Sequence, residues 1–245
     1  MKKYIAAVFV AASMTAVYAQ SAVRDIANIA DAYTDASREK REQAAISRLV
    51  KDMIVIPGKD FKMGKYEVTQ AQWQAVMGKN PSDFKGPNNP VECVSWDDCK
   101  KFLEKLNAMP EVKASGLTFR LPTEKEWEYA CRAGSTGKYC KLADGTEITK
   151  DTLDEVAWYC DNCDNSRRKT HPVGQKTPNA FGLYDMHGNV CEWCEDLYLA
   201  GTSYRVQRGG SWFNVSVNCT AGYRYYNDPV NCDCRVGFRL VASQD

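Results

Sequence analysis

Residues 170–198 read THPVGQKTPNAFGLYDMHGNVCEWCEDLY, and this segment is the most informative about the architecture of the chain. It has no helical period of apolar residues, and Gly, Asn, Asp and Pro recur along it. The sequence keeps this character from Gly134 to its end. We therefore predict that the second half of the domain consists of short strands joined by long, ordered loops.

The preceding part of the sequence predicts three helices that begin at capping residues. Thr69 and Gln72 have the spacing of a capping box, and Thr123 with Glu126 repeats that spacing. Ser95 is the expected cap of the helix between them. The apolar residues behind Ser95 lie on one helical face, which predicts burial; they are Trp96, Cys99, Phe102, Leu103 and Leu106.

The first 19 residues, MKKYIAAVFVAASMTAVYA, have the pattern of a secretory signal peptide, with two lysines, an apolar run and a small final residue. We expect cleavage after Ala19 and export to the periplasm, the medium or the cell surface. An uncleaved anchor is the alternative, although the apolar run is short for crossing a bilayer. No transmembrane segment is expected after removal of the signal.

Residues 20–50 contain neither Gly nor Pro, and they predict a helical or partly disordered lead. A helix docked on the domain is an equal alternative. The domain itself is expected to span residues 51–243. Near Met53 the sequence MIVIPGKDFKMG predicts two short strands around a Pro-Gly turn.

The charge balance argues against one class of partner. The 245 residues include 32 basic and 31 acidic side chains, and the formal net charge is +1. This balance gives no electrostatic reason to expect binding to nucleic acid or to an anionic membrane. The composition, with 44% hydrophobic and 26% charged residues, is ordinary for a globular protein.

Eleven cysteines leave two interpretations open. Cys160 with Cys163, and Cys191 with Cys194, form two C-x-x-C pairs that together suggest a zinc site with four cysteine ligands. Alternatively, most of these thiols are small buried hydrophobic residues. Export permits disulfides, but an odd number leaves at least one thiol unpaired, and the sequence does not define the pairing.

Seven segments follow one another in a characteristic order. They are MIVIPGKDFKMG, YEVTQAQWQAVMGKNPSDFKG, PVECVSWDDCKKFLEKLN, FRLPTEKEWEYACRAG, THPVGQKTPNAFGLYDMHGNVCEWCEDLY, RGGSW and GFRLV, within residues 53–242. In this order they resemble the domain of formylglycine-generating enzymes, the sulfatase-modifying factors. The resemblance implies an α+β version of the C-type lectin fold with little regular secondary structure. That family contains enzymes and non-enzymes, so the fold does not define the function.

By this resemblance, the oxidase members bind copper through two cysteines that follow the Gly-Gly-Ser motif. Aligned from Arg208, these cysteines fall on Asn214 and Cys219. An amide does not replace a thiolate as a ligand for Cu(I), so we expect no catalytic residue and no redox cofactor. Iron-dependent relatives need a cluster of histidines, whereas this chain has only His171 and His187. A formylglycine-generating-type oxidase or related sulfatase-modifying enzyme is the alternative function.

The segment GLYDMHGNVCEW resembles a calcium loop of the same family. The resemblance places side-chain ligands at Asp185 and Glu192, and backbone carbonyl ligands at Gly188 and Val190. Hard oxygen donors so close together suit a structural Ca²⁺ ion. The alternative is that Glu192 and Asn189 hold the loop by hydrogen bonds without a metal.

Residues 213–243 contain no Lys, Glu, Gln, Met or Trp. These five types cannot arise when the adenines of asparagine codons are replaced by other bases. On this fold and at this end of the chain, the pattern resembles the variable proteins of diversity-generating retroelements, with a variable region over about residues 205–243. The ordinary composition of loops, or drift in a permissive loop, would produce the same absence.

That resemblance divides the C-terminal residues into framework and ligand-binding positions. The framework comprises Gly209, Gly210, Ser211, Trp212, Arg224, Pro229, Gly237, Phe238 and Arg239. The predicted ligand-binding residues are Phe213, Asn214, Val215, Ser216, Val217, Asn218, Tyr223, Tyr225, Tyr226, Asn227, Asp228, Val230, Asn231 and Asp233. Tyrosines provide stiff amphipathic contacts and asparagines adaptable hydrogen bonds, as in antibody loops. We expect an exported, non-catalytic protein that binds an unknown protein or glycan ligand on another cell or a host surface.

Overall fold

The computed structural model describes residues 34–162 and 169–244. The chain divides into two compact units, residues 1–43 and residues 44–245. The predicted signal peptide and residues 20–33 of the lead lie outside the described residues. Within the described ranges, no helix is both long enough and apolar enough to cross a membrane.

Helices dominate the first half of the described chain, and their caps agree with the sequence signals. They are α1 over 34–51, α2 Gln70–Met77, α3 Trp96–Ala108, α4 Pro110–Ala114 and α5 Glu124–Arg132. Thr69, Ser95 and Thr123 each accept a hydrogen bond from the backbone N–H three residues on, and each forms a full capping box. The described residues of the second half contain two 3₁₀ turns, Leu153–Glu155 and Ser216–Cys219.

Three small sheets of short strands are present in the described part of the chain. The strands are β1 Met53–Val55, β2 Lys62–Gly64, β3 Leu117–Arg120, β4 Ala157–Trp158, β5 His187–Gly188, β6 Cys191–Leu197, β7 Arg205–Arg208, β8 Tyr225–Asn227, β9 Val236–Gly237 and β10 Val241–Gln244. Their orders are β1-β2-β10-β3, β4-β5 and β8-β7-β6-β9. Strand β10 joins the C-terminal end to the first sheet by antiparallel pairing with β2 and β3. Short strands and long loops are the architecture that the second half of the sequence predicts.

The third sheet, β8-β7-β6-β9, separates two apolar cores. One core contains Trp193 of β6 together with the buried face of α3. The other contains Trp127 of α5 and Val206 of β7. Ile46 and Leu49, in the last turns of α1, are buried in the first core, so this part of the lead is packed as a docked helix.

The interpretation of a four-cysteine zinc site is wrong for the second C-x-x-C pair. Cys191 and Cys194 lie three residues apart on one strand, so their side chains point to opposite faces. Cys191 packs in the first core and Cys194 in the second. The partner Cys163 lies outside the described residues. The ten described cysteines are free thiols, and seven of them are buried, as expected for small hydrophobic residues.

Candidate ligand-binding site

A cavity of about 120 Å³ opens on the β8-β7-β6-β9 sheet beside the C-terminal loops. Its lining comprises Cys191, Gln207, Gly210, Asn214, Asn218, Tyr223, Tyr225, Asn227, Asp233, Arg235 and Val236. Six of these are predicted ligand-binding residues, and they come from separate loop and strand positions. The fold therefore brings residues that are up to 19 positions apart, Asn214 and Asp233, to one concave surface.

Framework glycines hold the loops at this cavity. Gly210 has a φ of +73°, and a Cβ at this position would lie 2.7 Å from Cys219 Sγ and 2.8 Å from the carbonyl oxygen of Asn218. At Gly237 a Cβ would lie 2.4 Å from the carbonyl oxygen of Val91. Such contacts are shorter than a side chain tolerates, so the approach of the loops depends on glycine at both places.

The backbone of residues 213–218 is fixed by hydrogen bonds from buried groups. The N–H of Cys160 donates to the carbonyl of Asn214 at 3.0 Å, and the hydroxyl of Tyr139 donates to the carbonyl of Ser216 at 3.0 Å. Trp212 packs edge-on against Phe84, with ring centroids 5.3 Å apart. The main chain is thereby anchored, while the side chains of Phe213, Val215 and Val217 are exposed.

Exposed apolar side chains concentrate in the predicted ligand-binding segment. Their exposed fractions are 46% for Phe213, 49% for Val215, 60% for Val217, 50% for Tyr225, 42% for Tyr226 and 67% for Val230. Ser216 is the exception, because its side chain is only 5% exposed and sits inside the 3₁₀ turn. The prediction of Ser216 as a surface contact conflicts with this burial, which follows from the inward-facing position in that turn.

The tyrosines form an exposed aromatic cluster that extends beyond the predicted residues. Tyr226 lies 4.4 Å from Tyr198 and 5.1 Å from Tyr204, measured between ring centroids, and 5.9 Å from Tyr225. Sequence reasoning missed Tyr198 and Tyr204, which flank the loop between β6 and β7. Only the pairing of β7 with β8 brings that loop beside Tyr226, and no local pattern signals this pairing.

The side chain of Arg224, between Tyr223 and Tyr225 in the sequence, points outward. Its guanidinium makes a two-pronged contact with the carboxylate of Glu124 at the start of α5, and its side chain is 42% exposed. It ties the residues before β8 to the helix from outside. The framework role that the resemblance gives to Arg224 stays a prediction.

The last predicted residues form a second loop held by its own polar side chains. Asn231 Nδ2 donates to Asn227 Oδ1 at 2.9 Å, and the N–H of Val230 donates to Asp228 Oδ1 at 3.2 Å. Asp233 accepts from the guanidinium of Arg235, and this contact lowers the pKa of the Asp233 carboxyl. Arg235 is a cavity residue that the sequence analysis did not identify.

A larger groove of about 800 Å³ adjoins the other side of the same segment. It is lined by Arg132, Lys138, Tyr139, Glu147 and Ile148 of the preceding region, and by Val217 and Thr220 of the predicted variable region. Val217 therefore borders this groove, and Asn214 and Asn218 of the same segment line the smaller cavity.

The two positions that the resemblance aligns with copper-binding cysteines carry an amide and a buried thiol. Asn214 Oδ1 accepts a hydrogen bond from Ser211 Oγ at 2.7 Å. Cys219 is 0% exposed, and burial raises the pKa of its thiol far above the ordinary range. Cys191 lies beside Asn214, with its Sγ 3.9 Å from Asn214 Oδ1, and burial raises its pKa to about 12. Near neutral pH, burial therefore favours the protonated form of both thiols, and neither is an activated thiolate nucleophile.

The predicted calcium ligands lie in a buried charged cluster. Both Glu192 oxygens accept from Arg239, and Trp127 Nε1 donates to Glu192 Oε2 at 2.6 Å. Asp185 Oδ2 accepts from the N–H of Gly174 at 2.7 Å, while Asp185 Oδ1 is buried and has no hydrogen-bond partner among the described residues. Glu192 is thus engaged by a guanidinium, and Asp185 is the side chain with an unused oxygen. Calcium binding stays a prediction.

Asn189 supports the alternative that hydrogen bonds hold this loop. Its Nδ2 donates to Glu67 Oε2 at 2.7 Å, and its Oδ1 accepts from the N–H of His171 at 3.0 Å. Glu67 also accepts from the N–H of Val190 at 3.1 Å. Burial and the nearby Asp185 carboxylate raise the pKa of Glu67 well above its usual value. Asn189 therefore links three separate segments by hydrogen bonds.

The fold and this site define a class of protein. The protein family described as "Sulfatase-modifying factor enzyme 1-like domain" matches this chain over residues 33–244. The chain belongs to this family, and its fold is the formylglycine-generating-enzyme type of C-type lectin fold, as the sequence predicts.

Individual relatives differ in the function that their names carry. "Chaperone protein LppX" of Paenibacillus barcinonensis is 36% identical over 233 residues, with 76% of this chain and 81% of the relative covered. The formylglycine-generating enzyme of Streptomyces coelicolor is 31% identical over 208 residues, and the match covers 73% of this chain but only 60% of the enzyme. Among solved structures, Treponema denticola variable protein 1 has a TM-score of 0.64 at 30% identity, covering 79% of this chain and 91% of that one. The predicted resemblance to a variable protein of this fold is confirmed.

Proposed function

We propose that this protein is an exported, non-catalytic binding protein whose residues between 213 and 233 form a diversified ligand surface. The ligand is a protein or a glycan on another cell or on a host surface. The observation that carries the proposal is the separation of roles along this segment. Glycines and buried hydrogen bonds hold the backbone, while exposed apolar and amide side chains form the surface.

The composition of the surface supports recognition. Tyr225 and Tyr226 offer large, stiff contact areas at a low cost in side-chain entropy, and the asparagines add adaptable hydrogen bonds. Monomeric proteins seldom leave so many large apolar side chains together in water without a binding role. Valines at 215, 217 and 230 are about half or more exposed, and they gain a favourable environment only when a ligand covers them.

The source of the variation is proposed to be a retroelement that replaces adenines of a template. The absence of Lys, Glu, Gln, Met and Trp from residues 213–243 supports this source, as does the similarity to Treponema denticola variable protein 1. The test is the DNA downstream of the gene. We expect a near-copy of the codons for residues 205–243, with adenines at the varied positions and a reverse transcriptase gene beside it. Absence of both would remove the retroelement from the proposal.

The tolerance of the proposed binding surface to substitution is tested by comparing the unfolding temperatures of surface variants and framework variants. A variant set changes Phe213, Val215, Val217 and Tyr226 to Ser or Asn, singly and together. Because these side chains are exposed, we expect unfolding temperatures within a few degrees of the wild type. The control variants Trp212→Asn and Phe238→Ser alter buried residues and are expected to unfold at much lower temperature. Loss of folding in the surface set would refute a permissive binding surface.

The enzyme alternative has its own test. An oxidase of the formylglycine-generating type consumes oxygen in a copper-dependent way when it acts on a cysteine-bearing peptide. We expect no copper-dependent oxygen consumption, because the resemblance places the two copper-binding cysteines at Asn214 and Cys219, and an amide does not replace a thiolate as a ligand for Cu(I). Oxygen consumption faster than that of free copper with the same peptide would favour the enzyme alternative.

A further inference from the structure

Gln207 is a buried polar residue of the cavity that sequence reasoning missed. We propose that Gln207 is a constant ligand-binding residue at the base of the variable surface, and that it pairs with a primary amide, the side chain of an Asn or Gln on a protein ligand. The inference rests on the proposed binding function and names the chemistry that its central cavity recognises.

The hydrogen-bonding capacity of Gln207 is unused within the described part of the chain. The residue is 1% exposed, and neither its Nε2 nor its Oε1 has a hydrogen-bond partner among the described residues. A buried amide without partners destabilises a fold, and native proteins seldom keep one unless it has another role. An apolar side chain of equal size would be the more stable choice at this position.

The strand pairing directs Gln207 into the cavity. It lies on β7 opposite Trp193 of β6 and opposite Tyr225 of β8, and directly opposed residues share a face of the sheet. Tyr225 and Gln207 both line the cavity of about 120 Å³. A water molecule occupies roughly 30 Å³ in the liquid, so the space suits a small group of several non-hydrogen atoms.

The other groups around the cavity favour a neutral partner. Asn214, Asn218 and Asn227 contribute further amides to the lining. The two charged residues, Asp233 and Arg235, bind each other through both carboxylate oxygens. Because this pair neutralises itself, the cavity offers hydrogen bonds without a net charge, and a charged ligand group would lose its hydration without compensation.

The carboxamide of Gln207 selects among neutral groups by geometry. It presents a donor and an acceptor side by side, and both are satisfied at once by a group with the same arrangement. A primary amide has an N–H on the same side as its C=O and forms two parallel hydrogen bonds. The secondary amide of an N-acetylated sugar has its N–H on the opposite side from the C=O, so it satisfies only one. This difference favours an Asn or Gln side chain over a sugar.

Gln207 also differs from its neighbours in the cavity because it is not one of the positions predicted to vary in sequence. It precedes residues 213–243, and glutamine is one of the five types absent from them. Replacement of adenines in asparagine codons does not produce glutamine. Gln207 lies outside the set of positions predicted to vary, so we expect it to stay the same while Asn214, Asn218 and Tyr225 change around it, and all variants would share one anchoring contact.

The experiment follows the side-chain amide of Gln207 by NMR in the full, ¹⁵N-labelled chain. The probe is acetamide, a primary amide, and it is compared with N-methylacetamide and N-acetylglucosamine. We expect saturable shifts of the Gln207 NH₂ signals with acetamide and at least about tenfold weaker binding of the two secondary amides. Acetamide forms two hydrogen bonds with Gln207, whereas a secondary amide forms only one. The variant Gln207→Met is expected to lose acetamide binding and to unfold at the same or a higher temperature. The control Gln74→Met, on the exposed side of α2, should leave both unchanged.

Four results would overturn the proposal. They are the absence of an acetamide shift, equal binding of N-methylacetamide, preferential binding of N-acetylglucosamine, and a clear loss of stability in Gln207→Met, which would mark Gln207 as a structural residue. These failures are separate from failure of the proposed function. If the surface variants at Phe213 and Tyr226 fold normally, the binding surface stands even without an amide subsite. If these variants do not fold, the proposed function fails whether or not acetamide binds to Gln207.

Discussion

Arg239 and Glu192 form an ion pair in the interior, with side chains that are 0% and 1% exposed and a distance of 2.8 Å between Nη2 and Oε1. Arg239 also donates to the carbonyls of Gly64 and Tyr184, at 2.8 and 2.7 Å. Arg239 lies in the segment between β9 and β10, and Glu192 lies on β6. The contacts of Arg239 therefore connect that segment to β6, to the end of β2 and to the loop before β5. Nearly all the donors of one guanidinium are used to connect segments that are distant in sequence.

Removal of one partner of this pair should destabilise the domain strongly. Arg239→Met leaves the Glu192 carboxylate buried without its counter-charge, and we expect a loss of about 3–5 kcal/mol in the free energy of unfolding. Urea unfolding measures this loss. The matched control is Arg224→Met, whose pair with Glu124 lies at the surface and should contribute less than about 1 kcal/mol.

The double variant Arg239→Met with Glu192→Leu separates charge from packing. Removing both charges takes away the unpaired carboxylate, so we expect the double variant to recover part of the stability lost by Arg239→Met. A double variant less stable than the single one would show that Glu192 stabilises the domain even without Arg239, through its hydrogen bond from Trp127 Nε1.

The extent to which sequence predicts this molecule depends on the range of the interactions. Caps such as Thr69 with Gln72 involve residues three positions apart, so local patterns predict them and the structure confirms them. The contact of Tyr226 with Tyr198 depends on the pairing of β7 with β8, which no local pattern encodes. For the same reason Gln207 looks like an ordinary surface-strand residue in the sequence.

The C-x-x-C pair at Cys191 illustrates a different failure. Its spacing suggests a metal site only if the chain turns between the two thiols, and here it runs as a strand. In a strand, residues three apart face opposite ways. The spacing alone could not distinguish these two backbone conformations. The resemblance across seven ordered segments was more informative, because it reports the whole fold.

A matched pair of glycine variants tests how the framework holds the binding loops. Gly210 and Gly201 both have positive φ, +73° and +83°, so Ala at either place costs roughly 1–2 kcal/mol in backbone strain. A Cβ at Gly201 meets nothing within 4 Å, whereas at Gly210 it meets Cys219 Sγ at 2.7 Å. We expect Gly210→Ala to lose several kcal/mol more than Gly201→Ala in urea unfolding. Equal losses would mean that the Asn218–Cys219 turn moves aside easily.

Acid should destabilise the domain through His187. Its Nε2 accepts from the N–H of Cys140 at 3.1 Å, and its Nδ1 lies 2.7 Å from the carbonyl oxygen of Cys219, so the neutral ring with a proton on Nδ1 fits both contacts. Burial lowers the pKa of His187 to about 4 from the ordinary 6.5. Because the unfolded chain binds the proton first, the stabilisation is complete above pH 6.5 and is lost as the pH falls towards 4.

The size of this effect is roughly 3 kcal/mol, at about 1.4 kcal/mol for each pKa unit. Urea unfolding between about pH 4 and pH 8 measures it in the wild type and in His187→Gln, which should lose most of this pH dependence. His171→Gln is the control, since the chain has only these two histidines, and its profile should keep the slope. An unchanged slope in His187→Gln would assign the acid sensitivity to carboxylates instead.

Calcium binding at the loop around Asp185 is the last prediction, and the charge of that loop is its physical reason. Asp185 Oδ1 is buried without a hydrogen-bond partner among the described residues, and burial raises the pKa of this carboxyl to about 6. A divalent cation would supply the missing partner and favour the ionised form. We expect the unfolding temperature to rise with CaCl₂ and to fall after dialysis against EDTA, by several degrees when calcium exceeds its dissociation constant about 100-fold.

Asp185→Asn provides the decisive comparison for calcium. Asn keeps the oxygen that accepts from Gly174 and tolerates the φ of +58° at this position, but it removes the charge that would bind calcium. We therefore expect the variant to unfold at a temperature independent of calcium and EDTA. The exposed Asp144→Asn should respond to calcium as the wild type does. Identical wild-type unfolding temperatures in calcium and EDTA would contradict the prediction and leave Asn189 and Glu67 as the groups that hold the loop.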